Sequence, residues 1–600
     1  MPEGRLLRSL SKLHVRDLGR PVSGRSLRAQ FDRAVAVVLR LLALLAIAAL
    51  LLEHGFDLPA ETKAAVRRLL EVVLLTFVGL GLLRLVTRDD RRAFLREHRL
   101  DAVVWAVVLL GFASRQAGVA APVHLFGLDP DDLAGAWLAA TQGLIVLSIL
   151  FGAVRGSRRL VGRRVQPQLV ILVSFVLLAA AGTGLLLLPR STKAAGIDLV
   201  DAVFTASSAA SITGLAVVDT RTAFTPFGHA ILLALFQAGG LGIMTLTTFF
   251  AFAFSGGTLR QYASLQSIVG EESLGRIRTT LVEIAVATFA VEAAGAAVLY
   301  RHLPDSAVTE AGRLFSSVFH SVSAFCNAGF VLTPTDGSAP GLAGNAPVQA
   351  TIMVLVVLGG LGFPVLAMLG GILARRRRRP GLQTKLVLTV SALLLTFGTG
   401  ALLLLEKGSP ALGQSAADRF LAALFHSVSA RSGGFNTVDL STLAPASLFA
   451  IVVLMWIGGS PASTAGGVKT TTVAVAFLTV FSIAAGKDRV ELFRRRIGDA
   501  SIQRAFATVV VSVILLSVAL LGLLALERKP PLDLAFEAVS ALSTVGLSTG
   551  ITPALGAPAK LLLSVLMIAG RVGLLGCVLA ATPLRRDARH EYAREDVLIT

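Results

Sequence analysis

Four stretches of the chain carry one pattern: FTASSAASITGLAVVDT at 204–220, FHSVSAFCNAGFVLT at 319–333, FHSVSARSGGFNTVDL at 425–440 and FEAVSALSTVGLSTGIT at 536–552. Each opens on Phe, passes through a serine-rich turn and reaches a glycine followed by Leu or Phe: Gly214, Gly329, Gly434 and Gly546. The starts lie 115, 106 and 111 residues apart, too long a period for a solenoid repeat but suited to a unit of helix, short loop and helix. Each stretch is too short and polar to cross a bilayer and lies between two apolar runs. The pattern predicts re-entrant loops, in which a half-helix enters and extended backbone climbs out. Such backbone survives at membrane depth only where it lines water or is buried in protein. Ordinary extracellular loops with turn glycines are the alternative; four glycines in register argue against it.

Composition agrees. Of 600 residues 54% are hydrophobic and 16% charged, and mean hydropathy is +0.75. Soluble domains carry about 25% charged residues. This excludes a cytosolic enzyme, a disordered scaffold and a secreted disulfide domain. The two cysteines, Cys326 and Cys577, make neither a disulfide framework nor a metal knuckle. The net charge of +19 is not a nucleic-acid signature, because the basic residues cluster between apolar runs: Arg155 to Arg164, Arg375 to Arg379, Arg494 to Arg496, and Arg585 with Arg586. Cytoplasmic loops of membrane proteins look like this.

Twelve segments are long and apolar enough for a span: 34–52, 69–87, 101–118, 134–154, 169–189, 230–254, 281–300, 348–374, 386–405, 446–485, 505–526 and 561–583. The basic loops place both termini on the cytoplasmic side. Arg40, Arg67 and Arg68 are blemishes in the first two spans that snorkelling accommodates. Residues 1–33 are basic and lack a signal-peptide pattern. They read either as a membrane-surface arm or as a disordered tail.

Four re-entrant loops around one axis would form a pore. A dehydrated K⁺ needs oxygen ligands in place of water, and rings of backbone carbonyls supply them. Aiming successive carbonyls at one axis needs backbone angles that glycine permits. The expected filter residues are Ile212, Thr213 and Gly214; Asn327, Ala328 and Gly329; Ser432, Gly433 and Gly434; and Thr544, Val545 and Gly546. Side-chain oxygens of Thr213, Asn327, Ser432 and Thr544 could add ligands. Half-helices at 203–211, 318–325, 424–430 and 535–542 would turn their negative ends toward the cation.

Residues 446–485 are too long for one simple crossing. WIGGSPASTAGGVKTTT interrupts them, with Gly458, Gly459, Ser460, Pro461, Ala462, Ser463, Thr464, Ala465, Gly466 and Gly467 in a row. Gly and Pro disfavour continuous helix, so two half-helices with a mobile loop between them are expected; a Pro-kinked packing helix is the alternative. Arg571 stands in the middle of the last span, where a charge faces water or a polar partner.

These motifs resemble the Trk/Ktr/HKT superfamily of cation transporters, most closely the membrane subunits of bacterial potassium-uptake systems. The resemblance rests on ITGLAVVDT, SAFCNAGF, ARSGGFNTVD and STVGLSTG, with the Gly-rich segment and GRVG at 570–573, and it covers roughly 165–585. It implies an all-α polytopic fold: four pseudo-symmetric helix–loop–helix repeats around a single pore, and homodimerisation. The segment 458–467 corresponds to the family's intramembrane gate loop below the filter. Arg571 would then hydrogen-bond gate-loop oxygens and add an electrostatic barrier, unless it pairs structurally with an acid. Lys469 either stabilises a closed state or sits in the cytoplasmic vestibule. Family members work with cytosolic nucleotide-binding ring proteins, so such a regulatory partner is expected. The third loop departs from the family's Thr-Ala-Gly-Phe, reading Ser432-Gly433-Gly434-Phe435; the extra glycine would loosen the backbone. Plant relatives with Ser at the first filter position prefer Na⁺, so Gly214 favours K⁺.

The expected organisation is a basic arm at 1–33, a four-helix membrane region of unassigned role at 34–164, pore repeats at 165–275, 276–380, 381–500 (with the gate) and 501–585, and a cytoplasmic end at 586–600. The expected function is K⁺ uptake across the plasma (inner) membrane, with K⁺ at the filter as transported ion and membrane lipid as surroundings. The alternatives are a Na⁺-selective or Na⁺-coupled carrier and a non-conducting regulatory subunit. No GxxxxGK[ST] phosphate loop occurs in the sequence, so no nucleotide site is expected; no Ser/His/Asp or metal cluster gathers at one predicted depth, so no enzyme activity is expected, and basic residues clustered between apolar runs argue against a nucleic-acid partner. His320 and His426, at one place in two loops, read as packing or capping residues. Asp219 and Asp439 either concentrate cations at the outer mouth or cap loops. Gly239–Gly242 and Gly359–Gly362 read as close helix packing. Glu283 and Glu292 lie in one span without an assigned role.

Overall fold

The computed structural model describes residues 58–87, 167–193, 196–253, 277–304, 312–332, 344–373 and 379–581, with isolated positions between 35 and 105. The arm 1–33, the spans 101–118 and 134–154, the basic stretch 155–164 and the end from 582 lie wholly or largely outside the described residues, and the span 34–52 does so in part. Two compact units result, Met1–Gly162 and Arg163–Thr600. In the first, helix α1 (Ala60–Val86) begins before the expected 69 and so includes Arg67 and Arg68. Arg67 Nε donates to buried Glu53 at 2.6 Å, giving that arginine a partner where snorkelling was expected.

The second unit is helical. Its elements run α2 (Pro167–Leu186), α3 (Leu199–Ala210), α4 (Pro226–Ala253), α5 (Ile277–His302), α6 (Gly312–Phe325), α7 (Ala346–Leu361), α8 (Phe363–Leu373), α9 (Leu382–Leu405), α10 (Ala416–Ser429), α11 (Pro445–Trp456) and α12 (Thr470–Ala484). A two-residue-per-strand hairpin follows, β1 (Glu491–Leu492) with β2 (Arg495–Arg496), then α13 (Asp499–Leu526), α14 (Pro531–Leu542), α15 (Ala557–Val572) and α16 (Leu574–Ala581). Among the described residues three helices are long and apolar enough to cross a membrane, at 283–302, 382–405 and 499–526, or four if a bent pair counts as one. The 28 residues of α13 reach about 42 Å at 1.5 Å per residue, more than a hydrocarbon core needs.

Polarity is arranged inside out. Val513, Ile514, Val518 and Leu521 of α13 are exposed, as are Phe477, Val480 and Phe481 of α12. Water would penalise such a surface and lipid would not. The short helices, by contrast, are polar and buried: α6 hides Ser316, Ser317, His320, Ser321 and Ser323. Capping starts them cleanly, since Asp198 accepts from Val200 N at 3.1 Å and Ser415 Oγ from Asp418 N at 3.0 Å.

The Phe that opens each of the four segments is fully buried, and each falls in a core built largely from a different part of the chain. Phe319 shares a core with Leu186, Leu232 and Phe236, meeting Phe236 edge to face at 5.2 Å between centroids. Phe425 belongs with Leu299, Ile352 and Val356, and Phe536 with Leu402, Ile451 and Leu454. Phe204 belongs with Leu534, Leu563 and Met567 near the other end of the unit. Each short helix is thus seated on the preceding helices, and the first on the last, which closes a ring. The part-buried pair Lys560 Nζ–Asp201 Oδ1, at 2.7 Å, bridges the same closing seam.

Two apolar segments are broken. The expected span 348–374 is not one straight crossing: α7 and α8 meet at 105°. The break is at Gly362 (φ 88°), and Phe363 N, released from helical pairing, donates to Ala462 O at 3.0 Å. The other break separates α11 from α12 at residues 457–469.

Glycines let the helices that follow the loops touch the ends of the short ones. A β-carbon at Gly239 would collide with Ala210 O, at Gly359 with Phe325 O, and at Gly570 with Leu542 O; Ala210, Phe325 and Leu542 are the last residues of α3, α6 and α14. Gly570→Ala is therefore expected to lower stability by about 1–3 kcal/mol, the usual cost of overpacking. Gly400→Ala, whose β-carbon meets nothing within 4 Å, should cost nothing. Thermal unfolding of the two purified proteins in detergent checks this, and a Gly570→Ala protein as stable as its parent would contradict the close approach.

Candidate functional site

The loops after α3, α6, α10 and α14 share one backbone conformation. Two residues before each glycine stands a non-glycine residue at positive φ: Ile212 (53°), Asn327 (57°), Ser432 (74°) and Thr544 (48°). The glycines follow at 90°, 69°, 75° and 92° for Gly214, Gly329, Gly434 and Gly546. L side chains rarely adopt this region, and such strain collects where function fixes the backbone. The register shows that Ile212, not Thr213, is the counterpart of Asn327, Ser432 and Thr544.

Those glycines meet. A β-carbon on Gly214 would lie 3.0 Å from Gly329 Cα, on Gly329 2.9 Å from Gly434 Cα, on Gly434 2.6 Å from Val545 O, and on Gly546 3.1 Å from Gly214 Cα. The contacts run in a closed cycle through all four loops, and at each glycine the nearest backbone atom, at 2.4, 2.9, 2.6 and 2.1 Å, is closer than real β-carbons come. Glycine is required here by space as well as by φ.

One serine per segment, four residues after the opening Phe, holds each loop to its own helix. Ser208 O accepts from Thr213 N at 2.8 Å, Ser323 O from Ala328 N at 2.7 Å, Ser429 O from Gly433 N at 2.7 Å and Ser540 O from Val545 N at 2.8 Å. Their hydroxyls finish the work in two ways. Ser208 and Ser540 accept from Gly214 N at 3.0 Å and Gly546 N at 3.1 Å. Ser323 donates to Phe330 O at 2.8 Å, and Ser429 to Phe435 O. These serines are missing from the sequence-based site, although their constant offset from Phe was visible.

The third loop is one residue shorter, since Ser429 precedes Gly434 by five positions and the other serines precede their glycines by six. A β-carbon on Gly433 would lie 2.8 Å from Ser429 Cα. The extra glycine therefore fills a tighter turn, which corrects the expectation that it loosens the backbone.

Of the side-chain oxygens expected to join the ring, most are already engaged. Thr213 Oγ1 pairs with Ser211 Oγ at 2.7 Å. The Asn327 amide nitrogen, in the orientation that satisfies its surroundings, donates to Ala324 O at 3.0 Å and Val356 O at 3.2 Å. Ser432 Oγ lies 3.1 Å from both Ser543 O and Thr544 O. Thr544 Oγ1 is buried without a partner.

The Gly-rich segment is packed directly against these loops. Gly458 N donates to Val468 O at 2.9 Å and Thr470 N to Gly459 O at 3.0 Å, closing its neck. Ser460 N and Thr464 N donate to Gly360 O at 3.0 Å and Gly359 O at 3.3 Å. Ser463 Oγ donates to Ser460 O and accepts from Ala465 N, a turn within the segment. Pro461 is half-buried beside Ala462, which has φ 56°. Thr464 Oγ1 donates to Phe325 O at 3.2 Å and Gly466 N to Ser432 Oγ at 3.2 Å. Gly467 faces Ser543, whose Cβ would be 3.1 Å from an added β-carbon. Lys469 Nζ donates back to Ala465 O at 2.6 Å.

Arg571 is 2% exposed and has carbonyl partners. It donates through Nη1 to Thr464 O and through Nη2 to Gly239 O at 2.6 Å and Gly240 O at 3.4 Å. Phe175 lies under the guanidinium at 6.0 Å. The guanidinium thus joins the Gly-rich segment to α4, and no acid pairs with it among the described ion pairs. Gly239 and Gly240 consequently do more than pack helices.

The remaining candidates resolve simply. His320 bonds Ser316 O through Nδ1 at 2.6 Å and accepts from Leu332 N at 3.1 Å; His426 Nδ1 bonds Ala422 O at 2.9 Å. His320 braces helix and loop, whereas His426 bonds within its own helix and its Nε2 is buried without a partner; no metal-holding cluster occurs among the described residues. Asp219 accepts from Arg221 N and Asp439 from Ser441 N, both at 3.0 Å, so both cap turns. Glu292, buried, accepts from Gln237 Nε2 at 3.2 Å beside Cys326; Gln237 gave no signal in sequence. Glu537, at the position of the two histidines, accepts from Ser548 and Thr552 hydroxyls at 2.5 and 2.9 Å.

Known proteins resemble this chain in sequence and fold. The family model described as "TrkH: Cation transport protein" matches residues 139–591. The Ktr system potassium uptake protein B of Vibrio alginolyticus is 37% identical over 417 residues, 68% of this chain and 89% of that protein. The Ktr system potassium uptake protein B of Bacillus subtilis (strain 168) is 34% identical, covering 68% of this chain and 92% of that one. The potassium/sodium uptake protein NtpJ of Enterococcus hirae is 32% identical over 74% of this chain and 99% of its own length. The crystal structure of the potassium transporter TrkH from Vibrio parahaemolyticus superimposes with a TM-score of 0.59 at 17% identity, covering 81% of this chain and 98% of that one, a likeness of fold. The match to the family model over most of the chain, with relatives above 30% identity covered nearly whole, means that the chain belongs to the TrkH family of cation transport proteins, multi-pass membrane transporters and not enzymes.

Proposed function

We propose that the chain takes up K⁺ through one pore, built from four helix–loop–helix repeats whose loops form the filter. The observation that carries this reading is the closed cycle of Gly214, Gly329, Gly434 and Gly546, each two residues after a left-handed residue. Four turns of one conformation on one ring orient main-chain carbonyls alike, which is the chemistry that replaces a cation's water. The filter comprises residues 212–214, 327–329, 432–434 and 544–546, with Thr544 the side chain whose oxygen is unengaged. The names of the relatives from Vibrio and Bacillus support K⁺ as the ion.

Residues 458–467 form the gate, and Arg571 is its clasp. A guanidinium fixed by three carbonyls keeps the loop under the filter and opposes a passing cation. Lys469, folded onto Ala465 O, adds to the barrier. The repeats take the boundaries 165–275, 276–380, 381–500 and 501–585. The chain works as a homodimer with both termini cytoplasmic, together with a cytosolic nucleotide-binding ring subunit. The word "system" in the relatives' names supports a partner. A Na⁺-conducting or Na⁺-coupled variant of the same pore is the second reading, favoured by the potassium/sodium name of the Enterococcus relative.

The test is Rb⁺ and Na⁺ flux into liposomes holding the purified protein under an inside-negative potential. Rb⁺ entry that K⁺ blocks and Na⁺ does not is the expected result; Na⁺ entry that K⁺ leaves unaffected would replace this reading with the second. Gly214→Ser, whose side chain must displace the Ala328 and Gly329 main chain, should lower K⁺ preference about tenfold, the ratio that 1.4 kcal/mol sets. Unchanged selectivity in that folded variant would sink the filter assignment. Deleting residues 462–467 should raise basal Rb⁺ flux, and equal or lower flux from well-folded protein would refute the gate.

A further inference from the structure

Among the described hydrogen bonds of the Gly-rich segment, one ends on a residue of the glycine-ring loops themselves: Gly466 N to Ser432 Oγ at 3.2 Å. The other bonds out of the segment end on helix carbonyls, on Phe363 N, on Arg571 or on the flanking residues Val468, Lys469 and Thr470. Ser432 Oγ also lies 3.1 Å from Ser543 O and from Thr544 O. A hydroxyl carries one proton and accepts through its lone pairs. It can therefore donate to the fourth loop, shared between the two carbonyls, while it accepts from the Gly-rich segment. The oxygen is fully buried, so water cannot substitute for any of the three partners. Its position is fixed by the short third loop, which holds Ser432 at φ 74°. Gly466 must come this close, since a β-carbon there would collide with Thr544 Oγ1.

We propose that Ser432 is a positioning residue that latches the gate to the filter, its hydroxyl tying Gly466 of the gate to the carbonyls of Ser543 and Thr544. The proposal rests on the pore and gate reading above. When the gate swings away, Ser432 loses its donor, and the carbonyl at Thr544 loses the constraint that kept it in register. By linkage, an ion that stabilises that carbonyl in the ring favours the latched gate, and gate movement alters ion affinity by the same factor.

The test is a cycle of two changes, read as basal Rb⁺ flux in liposomes without any partner protein. Ser432→Ala removes one hydrogen-bonding hydroxyl and should raise flux about threefold to tenfold, with K⁺ over Na⁺ preference lowered as the Thr544 carbonyl loses its tether. Ser432→Thr keeps the hydroxyl and should restore low flux; Thr544 occupies the equivalent backbone at φ 48°, so a threonine fits the conformation. In protein lacking 462–467, and so lacking Gly466, Ser432→Ala should raise flux much less than in the full chain, because only its bonds to the fourth loop remain to be lost. That background also reports folding, because a misfolded variant would lose flux there. Unchanged flux in Ser432→Ala, a threonine variant as leaky as alanine, or a full increase in the shortened background would each overturn the latch. A shortened parent that conducts no Rb⁺ would instead overturn the pore reading, and the latch with it.

Discussion

The close approach of four main-chain turns is the constraint from which the rest of the second unit follows. At Gly214, Gly329, Gly434 and Gly546 the backbones lie nearer than any β-carbon allows, and each is preceded by a residue in the left-handed region. A strained conformation costs on the order of 1–3 kcal/mol per residue, so something must hold each turn. The serine four places after Phe does so with its carbonyl and hydroxyl, and Phe itself sits in a core supplied by the preceding helices. Because Phe204 draws its core from residues near the other end of the unit, the seating of each loop depends on the seating of the next. Strain at one glycine is distributed over the whole ring.

The same geometry explains an arginine with only oxygen partners. A buried guanidinium needs acceptors for its donors, and an unpaired one is costly. The usual solution is a carboxylate. Here the acceptors are the carbonyls of Gly239, Gly240 and Thr464. Gly239 and Gly240 pack tightly onto Ala210 and Cys326, so no side chains intervene between the α4 backbone and its neighbours. Neutral acceptors leave the positive charge of Arg571 uncompensated by any described ion pair. In the proposed gate that residual charge would oppose a cation, where a carboxylate partner would have cancelled it.

Much of this was legible in the sequence, and the limits have physical causes. Phe, serine turn and glycine recur at fixed offsets because each obeys a local rule, and local rules leave local traces. The interruption at 458–467 was legible for the same reason: ten small or polar residues cannot continue an apolar helix. The bend at Gly362 was not, because hydropathy measures composition and a single glycine with Pro364 beside it barely changes a window; what stabilises the bend is Ala462 O, a hundred residues away. The offset of Thr213 against Ile212 was hidden because side-chain chemistry suggested aligning hydroxyls, whereas the backbone aligns φ. The family resemblance pointed Arg571 at oxygens of the Gly-rich segment, and Thr464 O is one; its partners Gly239 O and Gly240 O, and the Gln237 amide on Glu292, were invisible because they lie on α4, which no spacing along the chain encodes.

The third loop illustrates how a residue's meaning depends on its neighbours' spacing. Judged alone, Gly433 adds freedom, and freedom near a selective ring weakens discrimination. With one residue fewer between Ser429 and Gly434, the chain must turn more sharply, and a side chain at 433 would press on Ser429 Cα and Val356. Glycine is then the residue that permits the loop to reach the ring at all. The same shortening directs Ser432 toward the fourth loop and the Gly-rich segment. Sequence departure, tight turn and latch are three consequences of one missing residue, so a variant that restored the longer spacing would disturb all three together and could not be judged by its effect on the ring alone.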